Sequence, residues 1–142
     1  MIFVHNRIVR FGECDPAGVV YYPVFFNWFH ELMEAWFEEA LGQSYADCVK
    51  TVGFPAKETK AEFFRPCSLG EHLQLHMSLS SLTTRSMKMN IVIEGSGSRK
   101  AIGSVVCVCI GVNKDGFRFR PTEIPKEIYQ KMEKFLHRED LT

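Results

Sequence analysis

The sequence predicts an α+β fold in which one long helix packs across a curved antiparallel sheet of about five strands. Between residues 23 and 42, apolar side chains recur every three or four positions, which is the spacing of one buried helix face. From residue 73 onward, apolar and polar side chains alternate, as in strands with one buried face. A helix followed by a run of such strands favours an α+β arrangement. Without repeats or low-complexity linkers, the chain is expected to form one domain over residues 1–142.

The first half of the chain predicts a strand, a loop and the long helix. Residues 2–11 are rich in Ile, Phe and Val and predict a strand, and residues 12–18 have the Gly and Pro content of a loop. Pro23 suits the first turn of a helix, and Gly42 suits its end. The apolar face of this helix comprises Phe25, Phe26, Phe29, Leu32, Met33, Trp36, Phe37, Ala40 and Leu41. A short polar helix is predicted to follow over residues 44–50.

The second half predicts mainly strands. Residues 73–80 and 87–94 alternate between apolar and polar side chains, residues 58–65 predict a further strand, and residues 101–112 are apolar on both faces, as in a central strand. The loops Gly95-Ser96-Gly97 and Asp115-Gly116 suit hairpin connections. A final helix is predicted to begin near Pro125, with Ile128, Met132, Phe135 and Leu136 on its apolar face.

Composition and charge narrow the class of protein. The 17 Lys and Arg residues balance 17 Asp and Glu residues, so the basic footprint that nucleic-acid binding requires is absent overall. No apolar run reaches the roughly 18 residues of a membrane span, and the first residues lack the pattern of a secretory signal. We therefore expect a cytoplasmic protein that binds neither nucleic acid nor membranes.

The five cysteines, Cys14, Cys48, Cys67, Cys107 and Cys109, indicate free thiols. Their number is odd, and their spacing is not that of a zinc ribbon or finger. Buried thiols are expected, with no disulfide framework and no metal site. The five histidines have no second ligand at metal spacing, and no Gly-rich phosphate loop or G-x-S-x-G motif is present. The sequence thus predicts no metal and no cofactor.

Asp15 is the candidate catalytic residue. It lies in a loop just before a helix start, where an aspartate can also serve simply as a turn or capping residue. A carboxylate beside the free amides of a helix N-terminus could attack a carbonyl or activate water while those amides stabilise the oxyanion. The helix glutamates Glu31, Glu34 and Glu38 fall opposite the apolar stripe, and a solvated face is expected for them.

A family resemblance develops this prediction. The signature of the 4-hydroxybenzoyl-CoA thioesterase family is similar to the segment Phe11-Gly12-Glu13-Cys14-Asp15-Pro16-Ala17-Gly18-Val19-Val20-Tyr21-Tyr22-Pro23. Weaker similarity continues through the Arg85-Ser86 hairpin and residues 113–125. The resemblance implies a hotdog fold, an acyl-CoA substrate, dimers whose sheets join, often tetramers, and an active site at the subunit interface. It places the catalytic carboxylate on Asp15, as nucleophile or general base, and the carbonyl-polarising backbone amide on Tyr22.

The same resemblance implies the substrate-binding residues. By position these are Gly18, Tyr21, Phe26, Arg85 and Ser86. The family's nucleotide-contacting basic cluster falls in the hairpin Thr83-Thr84-Arg85-Ser86, which here has only one basic residue. A charge-assisted contact from Arg85 to a phosphate of CoA is the expected interaction. A flat two-ring acyl group would suit a pocket with walls formed by Tyr21, Tyr22 and Phe26 through offset stacking.

The acyl group and two other functional classes remain open at this stage. The signature most resembles the branch that hydrolyses 1,4-dihydroxy-2-naphthoyl-CoA in phylloquinone or menaquinone synthesis, and a 4-hydroxybenzoyl-CoA or short-chain thioesterase is the alternative. A hotdog hydratase usually pairs an Asp with a nearby His, and His30 lies about 15 positions away. A non-catalytic acyl-CoA binding protein would not need Asp15. The sequence therefore favours a thioester hydrolase.

Overall fold

The computed structural model describes residues 1–113 and 115–137, and of residues 113 and 116–119 it describes the backbone only. The strands are β1 (Phe3–Ile8), β2 (Val52–Gly53), β3 (Ala56–Phe63), β4 (His72–Leu82), β5 (Ser86–Gly95), β6 (Ser98–Val108), β7 (Ile110–Asn113) and β8 (Gly116–Pro121). The helices are α1 (Val24–Glu39), α2 (Tyr45–Cys48) and α3 (Lys126–Glu133), and a 3₁₀ turn covers Phe11–Glu13.

A five-stranded antiparallel sheet, in the order β1-β4-β5-β6-β3, packs against α1. A smaller antiparallel sheet has the order β2-β7-β8. The predicted α+β hotdog architecture, with its long helix and five-stranded sheet, is confirmed. Both predicted hairpins are present, although Lys114, at the turn between β7 and β8, lies outside the described residues.

The core forms where α1 lies across the sheet. The 16 residues of α1 correspond to about 24 Å of helix. Its buried side chains are Phe25, Trp28, Phe29, Leu32, Met33, Trp36 and Phe37. The buried strand residues opposite are those predicted from the alternating pattern, namely Leu73, Leu75, Met77, Leu79, Met87, Met89, Ile91 and Ile93. Trp28 is the member of the helix face that the apolar spacing did not include.

The predicted strand over residues 101–112 is divided in the structure. β6 ends at Val108 and β7 begins at Ile110, so the chain passes from the large sheet to the small one at Cys109. The Cys109 amide donates to the Arg85 carbonyl (2.8 Å), and the Cys109 carbonyl accepts from the Thr122 amide (2.8 Å). The change of hydrogen-bonding partners divides the strand, which the uniform apolar composition does not reveal.

Candidate active site

The loop that carries Asp15 is fixed by its own hydrogen bonds. The Asp15 amide donates to the Val19 carbonyl (2.9 Å), and the Asp15 carbonyl accepts from the Gly18 amide (3.0 Å). Gly18 has a φ of 78°, a left-handed conformation that favours glycine. Asp15 Oδ1 accepts from the amides of Ala17 (2.9 Å) and Val19 (3.4 Å). Within the described part of the chain, Oδ2 has no hydrogen-bond partner and is the oxygen available for chemistry.

The start of α1 supplies a free backbone donor. The amides of Val24 and Phe25 donate to the carbonyls of Tyr21 (3.0 Å) and Tyr22 (3.2 Å), and Pro23 has no N–H. The amide of Tyr22 makes no hydrogen bond to any described residue. It therefore lies at the positive end of the helix as an unused donor, the position in which an oxyanion can be stabilised.

Glu13 connects this loop to the sheet and to α1. It was not among the site residues predicted from the sequence. Its carboxylate accepts from Arg7 Nη1 and Nη2, both at 2.8 Å, in a bidentate ion pair. It also accepts from Trp28 Nε1 (2.7 Å) and from the Arg10 amide (2.8 Å). The Arg7 guanidinium carbon lies 4.5 Å from the centroid of the Trp28 ring. Three separate segments of the chain therefore meet at one carboxylate.

The charges in this cluster stabilise one another. Burial alone would raise the pKa of Glu13, but hydrogen bonds from Arg7 and Trp28 outweigh it and hold the pKa below its ordinary value. Burial alone would likewise lower the pKa of Arg7, but Glu13 and Glu31 outweigh it, and the pKa of Arg7 is raised. Both side chains therefore remain ionised at neutral pH.

Glu31 differs from its predicted environment. Its Oε2 lies 3.0 Å from Arg7 Nε and 3.1 Å from His5 Nε2, and its side chain is 41% exposed. Glu31 is therefore part of an ion-pair network rather than of a solvated face, whereas Glu34 and Glu38 are exposed as predicted. The alternation along β1 puts His5 and Arg7 on the same side of the strand. This alternation is the sequence signal that could have identified the network.

A second buried ion pair supports the other side of the Asp15 loop. The Leu69 amide donates to the Gly18 carbonyl (3.0 Å), which joins the loop to residues 67–71. Lys100 Nζ lies 2.9 Å from Glu71 Oε2, and each side chain is only 9% exposed. Burial acts to raise the pKa of Glu71, but the bond from Lys100 outweighs it, so the pKa is lowered. The Asp15 loop is thus held by charged pairs on two sides.

An apolar cavity of about 500 Å³ lies between α1, α2 and the β3 side of the large sheet. Phe26 lines this cavity, and its polar groups come from His30, Tyr45 and Thr59. Tyr22 instead lines a separate groove of about 350 Å³ at the start of α1, and Tyr21 borders neither space. Both tyrosines are more than half exposed. Within one chain, the structure therefore does not bring the three predicted pocket residues together.

Arg85 and Ser86 lie far from Asp15 within a single chain. The hairpin is closed by the Thr83 amide, which donates to the Ser86 carbonyl (2.9 Å), and by the two hydroxyls of these residues, 2.6 Å apart. The Arg85 side chain is exposed. Asp15 lies beside the start of β4 and Arg85 follows its end, so the 11 residues of that strand, roughly 35 Å, separate them.

The structure also bears on the predictions for the cysteines, for metal binding and for membrane spans. All five cysteines are free thiols, and four of them are buried, while Cys14 is half-buried. Burial raises the pKa of Cys107 to about 11. Among residues 1–113 and 115–137, no three His, Cys, Asp or Glu side chains form a group that could hold a metal ion. None of the helices described is both long and apolar enough to span a membrane.

The fold and the site define the class of protein. Residues 9–132 match the thioesterase-like superfamily. The chain therefore belongs to this superfamily of hotdog-fold proteins and is an acyl-CoA thioesterase.

Known relatives agree with this class. The 1,4-dihydroxy-2-naphthoyl-CoA hydrolase of Gloeothece citriformis is 30% identical over 115 residues, covering 75% of this chain and 79% of the relative. The enzyme of the same name from Nostoc punctiforme is 28% identical over 140 residues, covering 94% and 88%. Among solved structures, a gentisyl-coenzyme A thioesterase is 25% identical with a TM-score of 0.81, covering 92% and 99%. A 1,4-dihydroxy-2-naphthoyl-CoA thioesterase from Synechocystis, at 21% identity, has the same TM-score and supports the fold alone, covering 93% and 96%.

Proposed function

We propose that this thioesterase hydrolyses 1,4-dihydroxy-2-naphthoyl-CoA in the cytoplasm, with Asp15 as its catalytic carboxylate. The observation that carries the acyl assignment is the apolar cavity of about 500 Å³, a size common among small-molecule sites. Its aromatic lining suits a flat two-ring acyl group, and His30, Tyr45 and Thr59 can hydrogen-bond to ring hydroxyls. Burial raises the pKa of Tyr45 to about 12, so its hydroxyl stays protonated and can donate.

The proposed chemistry uses the two free groups of the loop and the helix start. The thioester carbonyl oxygen accepts from the Tyr22 amide, which stabilises the negative charge that develops on it. In one route Asp15 Oδ2 attacks the carbonyl carbon and expels the CoA thiolate, and water then hydrolyses the resulting anhydride. In the other, Oδ2 removes a proton from a water molecule that attacks the carbonyl carbon and expels the same thiolate. Rapid quenching during the first turnover separates these routes, because only the first leaves an acyl group on Asp15.

We further propose that the active enzyme is a homodimer, alone or within a tetramer, joined through β3. This strand is one of the two edges of the large sheet, the other being β1, and nearly all its residues are exposed. Antiparallel pairing with the β3 of a second copy would extend the sheet across both chains and cover the side of the cavity that Thr59 lines. It would also align the Asp15 end of one chain with the Arg85 end of the other, where Ala56 lines the apolar cavity. The acyl group would therefore occupy the cavity of one chain while its carbonyl group lies beside Asp15 and Tyr22 of the other. Light scattering at micromolar concentration tests the oligomeric state, and a monomeric active enzyme would contradict it.

The substrate assignment is tested by comparing kcat/KM for four thioesters. The set is 1,4-dihydroxy-2-naphthoyl-CoA, gentisyl-CoA, benzoyl-CoA and butyryl-CoA. We expect the naphthoyl ester to be hydrolysed best, because it fills the apolar cavity and offers hydroxyls to its polar groups. Removing one buried methylene typically changes kcat/KM by about 10- to 200-fold, and removing a hydroxyl that the site is built to hydrogen-bond costs about 10⁴-fold or more. A preference for butyryl-CoA would overturn the aromatic assignment, and a preference for gentisyl-CoA would limit the acyl group to one ring.

A further inference from the structure

We propose that Glu13 is a positioning residue that holds the Asp15 carboxylate in register with the Tyr22 amide. The inference rests on the proposed function, which assigns the chemistry to Asp15 and the carbonyl contact to Tyr22. Glu13 itself touches neither the thioester nor the attacking water. Its effect on the reaction is exerted through the loop that it anchors.

The side chain of Glu13 is fixed more firmly than an ordinary turn residue. Its two oxygens accept four hydrogen bonds of 2.7–2.8 Å, two of them from Arg7 on β1 and one from Trp28 on α1. The Arg7 side chain is 10% exposed and Trp28 is 1% exposed, so both donors are held by the core. Bidentate, charge-assisted bonds of this length restrict both distance and orientation. The position of Glu13 is therefore set by the sheet and by the long helix together.

The main chain of Glu13 transmits this position to both halves of the site. Its carbonyl accepts from the Tyr21 amide (3.1 Å), so it is bonded directly to the residue that precedes the proposed oxyanion donor, Tyr22. In the other direction, Glu13 is only two residues from Asp15, whose loop closes on Val19. One residue thus connects the segment carrying the carboxylate with the segment carrying the amide.

The consequence for catalysis follows from the sensitivity of the reaction to distance. A displacement of about 1 Å between reacting groups can cost on the order of 100-fold in rate. Glutamine at position 13 could keep the bond from Trp28, but its amide group would face the guanidinium of Arg7 with a donor. The bidentate pair would be lost, and the loop would no longer have one fixed position relative to α1.

The test compares Glu13→Gln with Glu31→Gln in the 142-residue chain. Both substitutions remove a negative charge from the same partner, Arg7. Among the described residues, however, Glu31 makes its side-chain hydrogen bonds to His5 and Arg7 and none to the loop. We expect Glu13→Gln to lower kcat by about 10- to 100-fold while KM stays within about twofold. Glu31→Gln should leave both constants within about twofold. Equal losses of kcat in the two variants would overturn the proposal.

A double mutant separates positioning from an independent role. If Glu13 acts through Asp15, adding Glu13→Gln to Asp15→Asn should lower kcat no further than Asp15→Asn alone. Independent, multiplicative losses would overturn the inference. If Asp15→Asn is itself active, the proposed function fails, whereas an inactive Asp15→Asn beside a fully active Glu13→Gln refutes only the positioning role. Should Glu13→Gln not fold, Trp28→Phe keeps an aromatic ring at this buried position and removes one donor to Glu13. A reduced kcat at constant KM is expected, and an unchanged kcat would contradict the proposal.

Discussion

At the scale of single residues, the two oxygens of Asp15 are bound differently. Oδ1 accepts backbone hydrogen bonds from Ala17 and Val19, which fixes the orientation of the carboxyl group, whereas Oδ2 has no partner among the described residues. The loop therefore presents one oriented oxygen without needing a second side chain. An aspartate that served only as a turn residue would need the Oδ1 contacts alone. A substitution that keeps Oδ1 but removes the negative charge therefore separates the turn role from the catalytic role.

We predict that Asp15→Asn removes most of the activity and leaves the loop intact. Asparagine retains an Oδ1 that can accept from Ala17 and Val19, so the turn is kept, but the anionic oxygen is lost. We expect kcat to fall by about 10²- to 10⁴-fold with an unchanged circular dichroism spectrum. Tyr22→Phe is the control, because it keeps the backbone amide and should keep most of kcat. Activity of Asp15→Asn within a few-fold of wild type would show that Asp15 is only a turn residue.

The sequence was sufficient to predict Asp15 as a site residue, but not the residues that hold its loop in place. The motif from Phe11 to Pro23 is contiguous, so its loop and helix start are readable from the chain directly. Glu13, in contrast, acquires its contacts from Arg7 and Trp28, which come from a strand and a helix whose relative placement no local pattern encodes. The predicted pocket fails for the same reason. Tyr22 and Phe26 are close in sequence at the start of α1, yet they line separate spaces.

At the scale of elements, α1 approaches the sheet closely at Gly103 on β6. A side-chain carbon at this position would collide with the Phe29 ring and would lie 3.0 Å from the Lys60 carbonyl oxygen. Glycine is therefore required by packing, not by backbone conformation. The ring of Phe29 uses this space to reach the sheet, and the same ring lines the apolar cavity. The contact between Phe29 and Gly103 therefore affects both the position of α1 on the sheet and the shape of the apolar cavity.

We predict that Gly103→Ala destabilises the protein because the added methyl group collides with the Phe29 ring. Overpacking of this kind costs about 1–3 kcal/mol, which corresponds to a loss in Tm on the order of 3–10 °C for a chain of this size. Gly12→Ala is the matched control, since no atom lies within 4 Å of its added carbon. Combining Gly103→Ala with Phe29→Leu should cost less than the sum of the two single changes. Strict additivity in thermal unfolding would contradict this contact as the cause.

Periodicity determined which elements could be recognised. The alternating residues of β4 and β5 and the stripe of α1 were readable because each element has one buried and one open face. The end of β6 could not be predicted, because its sequence is apolar on both faces and continues unchanged into β7. The break at Cys109 depends instead on hydrogen bonds to Arg85 and Thr122. The two-residue strand β2 carries too few positions to be recognised. β8 does alternate, in Phe117-Arg118-Phe119-Arg120, although no strand was predicted there.

At the scale of the whole molecule, one chain holds two separate halves of the proposed site. The Asp15 loop borders the Phe63 end of β3, where the rings of Tyr22 and Phe63 lie 6.5 Å apart. The Arg85 hairpin borders the Ala56 end, because Ala56 pairs with Cys107, which pairs in turn with β5. Two copies joined antiparallel through β3 would place the Phe63 end of one strand beside the Ala56 end of the other. The carboxylate would then come from one chain and the phosphate-binding arginine from the other.

We predict that inactive and weak-binding variants complement each other. Alone, Asp15→Asn should be nearly inactive, and Arg85→Ala should have a raised KM for a CoA ester but not for the pantetheine ester that lacks the phosphates. A mixed dimer of the two variants would contain one site with both an intact Asp15 and an intact Arg85, because these residues come from opposite chains. Once separated from the two homodimers, the mixed dimer should therefore turn over the CoA ester with the wild-type KM at about half the wild-type kcat per dimer. If both residues belonged to one chain, the mixed dimer would show only the raised KM of Arg85→Ala, and the shared site would be refuted.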